Sequence, residues 1–557
     1  MHNFIDLIIR VYIELKMSLV HCTIWHSLVN DAISPDKCQA NVLQRILKNN
    51  QNTTFGKKYN FSSLFNINDY IKHIPIFEYE DLRPYIEHQI DTGELTIVPN
   101  NPVMYARTSG TISKPKYIPI LLETINSYKR AQLISSYRQH CAIPEIFKGK
   151  VLAIVSPAIE GYMSDGAFYG SMSGLVYQNM PQIIAKKYVL PPALFAIEDY
   201  EVKYRLIAAF ALCESNISCL ATANPSTLIR IIDIIQQHSD SLIQFVVTGD
   251  FDALGVKLNS EQINTLTPFV TPNHIRAKYL ESLKKKNNLN FSTIWPELRA
   301  VVTWTSGNCT ILLSKLKKQL SPTTKIIEMG YLASEFRGTI TIDCDNDLGI
   351  PTIQDNFFEF AKVGTWDNGI HNTLMISQLE MGCQYYIIVT TPHGLYRYFI
   401  NDIIEVTGKF KNTYTISFVQ KGNGVTNIAN EKLYEAQVTR AVKLSAVKYN
   451  FEPTFYIMLA DQENFCYTLY IEIPELICLQ EFELKFNNYL SAFNLEYKAK
   501  IESRRIKFAG VKILRQGSFD AYKLYCINSG QREGQFKSVH LQYCHNIKFK
   551  FEEYVTQ

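Results

Sequence analysis

Thr108-Ser109-Gly110-Thr111-Ile112-Ser113-Lys114-Pro115-Lys116 packs hydroxyls, a glycine and two lysines into nine residues. Backbone N–H groups, O–H donors and mobile positive charge around a main chain that can approach closely suit a polyphosphate. The Walker A pattern G-x-x-x-x-G-K-[ST] is absent, so P-loop NTPase chemistry is not implied. A polar surface loop has the same composition, and the stretch alone leaves both readings open. A second constellation, Gly330-Tyr331-Leu332-Ala333-Ser334-Glu335, follows an apolar run ending at Met329. Loops leaving the carboxyl ends of parallel strands are where α/β sheets place ligands. There Tyr331 can stack on a planar base and Glu335 can offer oxygen to Mg²⁺; the plain alternative is a core tyrosine and a solvated glutamate. In Leu395-Tyr396-Arg397-Tyr398-Phe399-Ile400-Asn401-Asp402 a carboxylate ends an aromatic-rich strand. Asp402 can accept two hydrogen bonds from ribose hydroxyls, or simply close a turn with Asn401. Gly534-Gln535-Phe536-Lys537 sets a lysine near a glycine by the C-terminus, where a mobile cation can reach a distant phosphate.

These residues need a scaffold. Four apolar runs, Val151 to Val155, Phe245 to Thr248, Leu298 to Trp304 and Lys325 to Met329, read as buried strands of a mainly parallel sheet flanked by helices. Between them Asn224 caps and Pro225 opens a helix carrying Leu228, Ile231, Ile232 and Ile235. From Phe357 the pattern becomes FFEF, QYYIIVTT, DIIEVTGKF and TISFVQ, an antiparallel sheet. KGNGVTNIANEK after Gln420 is the best linker in the chain, and a domain boundary is expected there. Beyond it, a helix over 433–447, strands over 454–459 and 467–473, a helix over 482–501 and a polar tail predict a small α+β domain.

With 557 residues, 46% hydrophobic and 19% charged, the chain is an ordinary globular protein of more than one domain. Lys+Arg 56 against Asp+Glu 52 gives a net charge of +4, too little concentrated positive charge to make nucleic acid the expected partner. None of the twelve cysteines forms a C-x-x-C pair, which predicts free thiols in the cytoplasm. The apolar N-terminus is interrupted by Asp6, Arg10, Glu14 and Lys16, so an amphipathic helix docked through Ile8, Val11, Tyr12 and Leu15 is expected instead of a signal peptide. No uncharged apolar run is long enough to span a bilayer.

Taken together, these residues resemble the phosphate-loop signature of the adenylate-forming superfamily, which includes acyl-CoA synthetases, luciferase and peptide-synthetase adenylation domains. More narrowly, the chain is similar to the auxin-responsive promoter family of acyl-acid-amido synthetases. The stretches that carry the likeness are Asn50 to Lys57, Ile74-Pro75-Ile76, Tyr79-Glu80-Asp81-Leu82, Ala223-Asn224-Pro225-Ser226, Gly394 to Tyr398 and Glu431-Lys432-Leu433. It implies an α/β adenylate-forming fold. The large N-terminal domain, 1–420, would have mixed sheets and a small β-barrel-like part, and a small mobile α+β domain, 421–557, would turn about a hinge near 421–427. It further implies a ligase that uses ATP and Mg²⁺ to adenylate a carboxylic acid, releasing pyrophosphate, and then passes the acyl group to an amino acid. An acyl-CoA ligase and a catalytically silent nucleotide-binding protein are the alternatives. By position, the resemblance assigns Thr108, Ser109, Gly110, Thr111 and Lys116 to the phosphate loop, Tyr331 and Ser334 to the adenine and phosphate wall, Glu335 to Mg²⁺, Asp402 to ribose and Lys537 to the adenylation step. Phe399, Asn401 and Asn430 depart from the plant pattern, which has Arg at the first position and Gly at the other two.

Overall fold

The computed structural model describes residues 2–108, 115–164, 166–306, 310–367, 370–422, 425–429, 431–447, 449, 453, 455–473, 478–528 and 540–556. The backbone divides into two compact units, one of Met1–Thr108 with Lys116–Gln420 and one that includes Lys421–Gln557.

Strands of the larger unit are β1 (Met104–Thr108), β2 (Lys116–Ile120), β3 (Lys150–Ile154), β4 (Gly161–Tyr162), β5 (Phe168–Gly170), β6 (Ile217–Thr222), β7 (Ala300–Thr303), β8 (Lys325–Glu328), β9 (Thr339–Asp343), β10 (Leu348–Pro351), β11 (Phe357–Lys362), β12 (Gln384–Thr390), β13 (Tyr398–Phe410) and β14 (Thr413–Lys421). An all-parallel sheet runs β3-β6-β7-β8. Three of the four expected buried strands lie in it. The fourth, Phe245 to Thr248, is instead the end of the helix Ser239–Thr248, which buries Leu242, Ile243, Phe245 and Val246 and stops at Gly249 with φ +72°. A continuous apolar run inside a buried helix cannot be told from a strand by its composition. The strand missed from the sequence is β6, whose apolar run is broken by Ser218 and Thr222. Both are buried, and Ser218 donates its hydroxyl to the Ile146 carbonyl at 2.7 Å, which satisfies it inside the sheet. The helix Pro225–Gln237 forms as expected, with the Asn224 side chain accepting from the Ser226 N–H.

β1 and β2 form an antiparallel hairpin in which Thr108 faces Lys116, and β1 also pairs in parallel with β5. The antiparallel sheet β11-β12-β13-β14 matches the strand-rich stretch read from Phe357 onward. The expected barrel-like part is not found among the described residues. This sheet stays open, and four strands are too few to close around a filled interior. Between the pairs Ile388↔Phe399 and Tyr386↔Ile403, β13 carries two more residues than β12, a bulge in which Asn401 takes φ +59°. The N-terminal helix, His2–Val20, buries Ile9, Ile13, Met17 and Val20 beside Tyr137, whereas Ile8, Val11 and Leu15 are exposed. Apolar residues occupy two faces of this helix, and periodicity alone selected the wrong one. Among the described residues no helix is long and apolar enough to cross a membrane.

In the smaller unit β15 (Val425–Thr426) pairs with β16 (Leu433–Tyr434), and β17 (Phe455–Asp461), β18 (Cys466–Glu472), β19 (Gly510–Leu514) and β20 (Leu541–Tyr543) form a sheet ordered β19-β18-β17-β20. The single helix expected over 482–501 is two, Leu479–Phe493 and Leu495–Glu502. Asn494 breaks it: extended at φ −137°, it accepts from the Tyr497 N–H and donates to the Glu431 and Lys432 carbonyls. The polar tail contributes β19, β20 and the helix Ser518–Asn528.

Candidate functional site

Residues drawn from four parts of the larger unit meet at one place. β13 brings Tyr398, Ile400 and Asp402 onto the same face by the two-residue period of a strand, while Phe399 and Ile403 pack on the other face in a separate apolar cluster. The Tyr331 hydroxyl, arriving from the loop after β8, donates a hydrogen bond to Asp402 Oδ2. Burial, reinforced by the carboxylate of Asp402, holds the Tyr331 hydroxyl protonated far above its ordinary range, with Glu335 and Tyr398 adding to the effect. Lys116, at the base of the β1–β2 hairpin, places Nζ 3.4 Å from the Tyr398 hydroxyl and 5.3 Å from the centre of the Tyr79 ring. Tyr79 steadies that hairpin: its hydroxyl accepts from the Tyr117 N–H at 2.7 Å and donates to the Tyr117 carbonyl at 3.0 Å.

The loop after β8 owes its course to two glycines. Gly330 has φ +97°, a conformation that side chains rarely adopt. A Cβ on Gly338 would lie 2.1 Å from Tyr331 Cδ1, so the ring can reach Asp402 only past a residue without a side chain. Glu328, the last residue of β8, accepts from both the N–H and the hydroxyl of Thr305 at 2.7 Å, from the N–H and hydroxyl of Ser306 at 3.0 Å, and from the Gly330 N–H at 2.8 Å. One carboxylate thereby ties the loops leaving β7 and β8 together at the carboxyl edge of the parallel sheet, the ligand-binding edge of such folds.

Tyr331 differs from its expected use as a stacking surface for a base. Its ring stacks on Phe418 at 5.5 Å, meets Phe336 edge-on and is only 8% exposed, and its hydroxyl serves Asp402. Glu335 is buried and Ser334 half-buried in the tight turn that follows, where Leu332 bridges Arg337. Thr108 ends β1 opposite Lys116. Ser109, Gly110, Thr111 and Lys537 lie outside the described residues. The sequence reading did not single out Tyr398, Glu328 or His393. The two-residue period counted back from Asp402 points to Tyr398, and an acid ending an apolar strand just before Met-Gly points to Glu328. His393 sits in a Pro-His-Gly turn that carries no signal beyond the turn itself.

That imidazole is 2% exposed and packed so deeply that desolvation pushes its pKa from the ordinary 6.5 down to about 4. The unfolded chain therefore binds a proton near pH 6.5 that the folded chain binds only near pH 4. Stability from this group is full above pH 6.5 and falls as the pH drops toward 4, by about 3 kcal/mol in all. Urea midpoints of the wild type should drop across that window relative to those of His393→Gln; parallel curves would contradict a neutral buried ring.

A separate cleft of about 680 Å³ lies on the other face of the β11–β14 sheet, lined by Ile76, Trp366, His371 and Phe399 among others. None of the expected site residues lines it.

The geometry can be set beside known proteins. The GH3 family N-terminal domain matches residues 25–326, its central domain 349–421 and its C-terminal domain 436–543. Indole-3-acetic acid-amido synthetase GH3.4 of Arabidopsis thaliana is 23% identical over 548 residues, covering 90% of this chain and 89% of the relative. The 4-substituted benzoates-glutamate ligase GH3.12 of the same plant is 22% identical, covering 90% and 92%. Among solved structures, GH3.15 acyl acid amido synthetase superposes with a TM-score of 0.64 at 19% identity, covering 95% of this chain and 96% of its own. A 2-hydroxyisobutyryl-CoA ligase in complex with 2-HIB-AMP and CoA follows at 0.53 and 12%, covering 91% and 90%. The two structures share their fold with this chain. The three GH3 domains match in order, the first alone over more than half of the 557 residues, and the chain belongs to the GH3 family.

Proposed function

We propose that this protein joins a carboxylic acid to an amino acid in two steps. A carboxylate oxygen of the acid attacks the α-phosphorus of ATP, and the bond to pyrophosphate breaks to leave an acyl-adenylate. The amine of the amino acid then attacks the acyl carbon and loses a proton, and AMP departs as the amide forms. The observation that carries this reading is the convergence of Lys116, Tyr398, Tyr331 and Asp402 at one site of a GH3 chain. Relatives named as amido synthetases of indole-3-acetic acid and as a benzoates-glutamate ligase support an acid and an amino acid as substrates.

In this reading Asp402 receives the ribose hydroxyls, Lys116 and the 108–111 loop face the phosphates, and Ser334 lies at the adenine and phosphate wall. Lys537 serves adenylate formation from a small domain, 421–557, that turns about 421–427. Among the described residues no three His, Cys, Asp or Glu side chains gather to hold a metal by themselves. Mg²⁺ keeps several waters and takes one or two carboxylates beside substrate phosphates, and Glu335 is the carboxylate we assign to it. When bound, the ion would neutralise charge on the phosphates. Free cysteines at all eleven described positions support a cytoplasmic setting.

Purified protein supplied with a panel of carboxylic acids should exchange labelled pyrophosphate into ATP in an acid-dependent manner. It should then release AMP faster with amino acids than with coenzyme A. Preference for coenzyme A would make it an acyl-CoA ligase, and no exchange with any acid would make it a silent nucleotide binder.

A further inference from the structure

The turn bearing Glu335 is held from one side by a single helix. Leu122–Ala142 carries Thr124 and Tyr128 four residues apart, one above the other on the same helical face. Tyr128 donates its hydroxyl to the Ala333 carbonyl at 3.2 Å. Thr124 reaches the turn through an intermediary: its Oγ1 lies 3.2 Å from His393 Nδ1, and His393 Nε2 lies 2.8 Å from the Glu335 carbonyl oxygen. A carbonyl oxygen only accepts, so Nε2 carries the proton; in the neutral ring Nδ1 is then the acceptor and Thr124 the donor. Thr124, His393 and Glu335 are all buried, so water does not compete for this relay. His393 belongs to the turn joining β12 to β13, where Thr391 and Leu395 close on each other through N–H···O bonds of 2.8 and 3.2 Å. The imidazole therefore couples the segment leading to Asp402 with the segment bearing Glu335.

We propose that His393 is a positioning residue that fixes Glu335 for the divalent cation accompanying ATP, acting through the Glu335 main-chain carbonyl with Thr124 as its own support. The proposal rests on the reading of Glu335 as the cation's carboxylate. It predicts that His393 is needed for the cation-dependent part of nucleotide binding and not for the rest.

The test is calorimetric titration of ATP into the full-length protein with Mg²⁺ and again with chelator, the ratio of the two affinities being the quantity read. Glu335→Gln should abolish most of the enhancement by Mg²⁺. His393→Phe, which keeps volume but offers no hydrogen bond, should cut the enhancement about tenfold, as loss of groups that orient a metal ligand does. It should leave the affinity in chelator unchanged. His393→Gln, whose amide can donate to the same carbonyl, should restore most of the enhancement. Thr124→Val, a milder change should His393→Phe not fold, should lower it about threefold, a fraction of that loss. An undiminished enhancement in His393→Phe or, failing that, Thr124→Val, alongside its loss in Glu335→Gln, overturns the positioning role alone. Equal losses with and without Mg²⁺ also overturn it, since they mark a merely structural histidine. An enhancement that survives Glu335→Gln overturns the reading of Glu335 and this proposal with it.

Discussion

Asp402→Ala should lower acid-dependent exchange of labelled pyrophosphate into ATP on the order of a hundredfold or more, because the proposed role has its carboxylate accept two ribose hydroxyls and a hydrogen bond to a charged group contributes about 1.5–3 kcal/mol. The side chain is 2% exposed and bonded to the Tyr331 hydroxyl, so the substitution also strands a buried donor. Tyr331→Phe separates the two effects. It leaves the carboxylate in place but removes the group that aims it, and should cost about tenfold, close to the worth of one such hydrogen bond. Should Asp402→Ala exchange at the wild-type rate while remaining folded, the nucleotide does not use this carboxylate and the site must lie elsewhere.

The largest loss of stability should follow Glu359→Ala. Glu359 in β11 takes a two-pronged ion pair from Arg397, at 2.9 Å from Nε and 2.7 Å from Nη2, and a hydroxyl from Thr373 at 2.7 Å. Arg397 is buried, sits at φ +41° and spends Nη1 on the Ile71 and Ile74 carbonyls at 2.8 and 2.6 Å. Removing one partner leaves an uncompensated charge in the interior, at a cost of about 3–5 kcal/mol. All four tryptophans, Trp25, Trp295, Trp304 and Trp366, lie before residue 420, so urea unfolding followed by tryptophan fluorescence reports on this unit. A loss below about 1 kcal/mol would mean that the guanidinium finds water or another acceptor.

Several of these arrangements were legible in the amino acids and several were not, for definite reasons. Lys116, Tyr331 and Asp402 could be singled out because a lysine after a hydroxyl-rich loop, a tyrosine after an apolar strand and a carboxylate in an aromatic-rich strand are residue types with chemistry to offer; the packing of the Tyr331 ring on Phe418 and Phe336 could not be read there. Their mutual geometry was hidden: nothing in the spacing of Tyr331 and Asp402, 71 residues apart, says that one hydroxyl is aimed at one carboxylate. The sheet that supports them was visible wherever apolar residues run unbroken, as in β3, β7 and β8. It was invisible in β6, where Ser218 finds its partner only after folding. The helix Ser239–Thr248 misled because Phe245-Val246-Val247 lies between its exposed Gln244 and Thr248 and is too short a run to show the helical period by itself. The break at Asn494 was readable as a cap in hindsight, yet its deciding bonds run to Glu431 and Lys432, some sixty residues away.

The two surplus residues of β13 give the site a reading frame of its own. Deleting one forces either the bulge to shrink or the strand beyond it to slip by one step, and such a slip exchanges the faces of every residue it moves. Deleting Ile400 and Asn401 together would leave the pairs Ile388↔Phe399 and Tyr386↔Ile403 in register while removing the bulge that carries Asp402. Between Phe399 and Ile403, therefore, the number of residues is as much a part of the site as their identity.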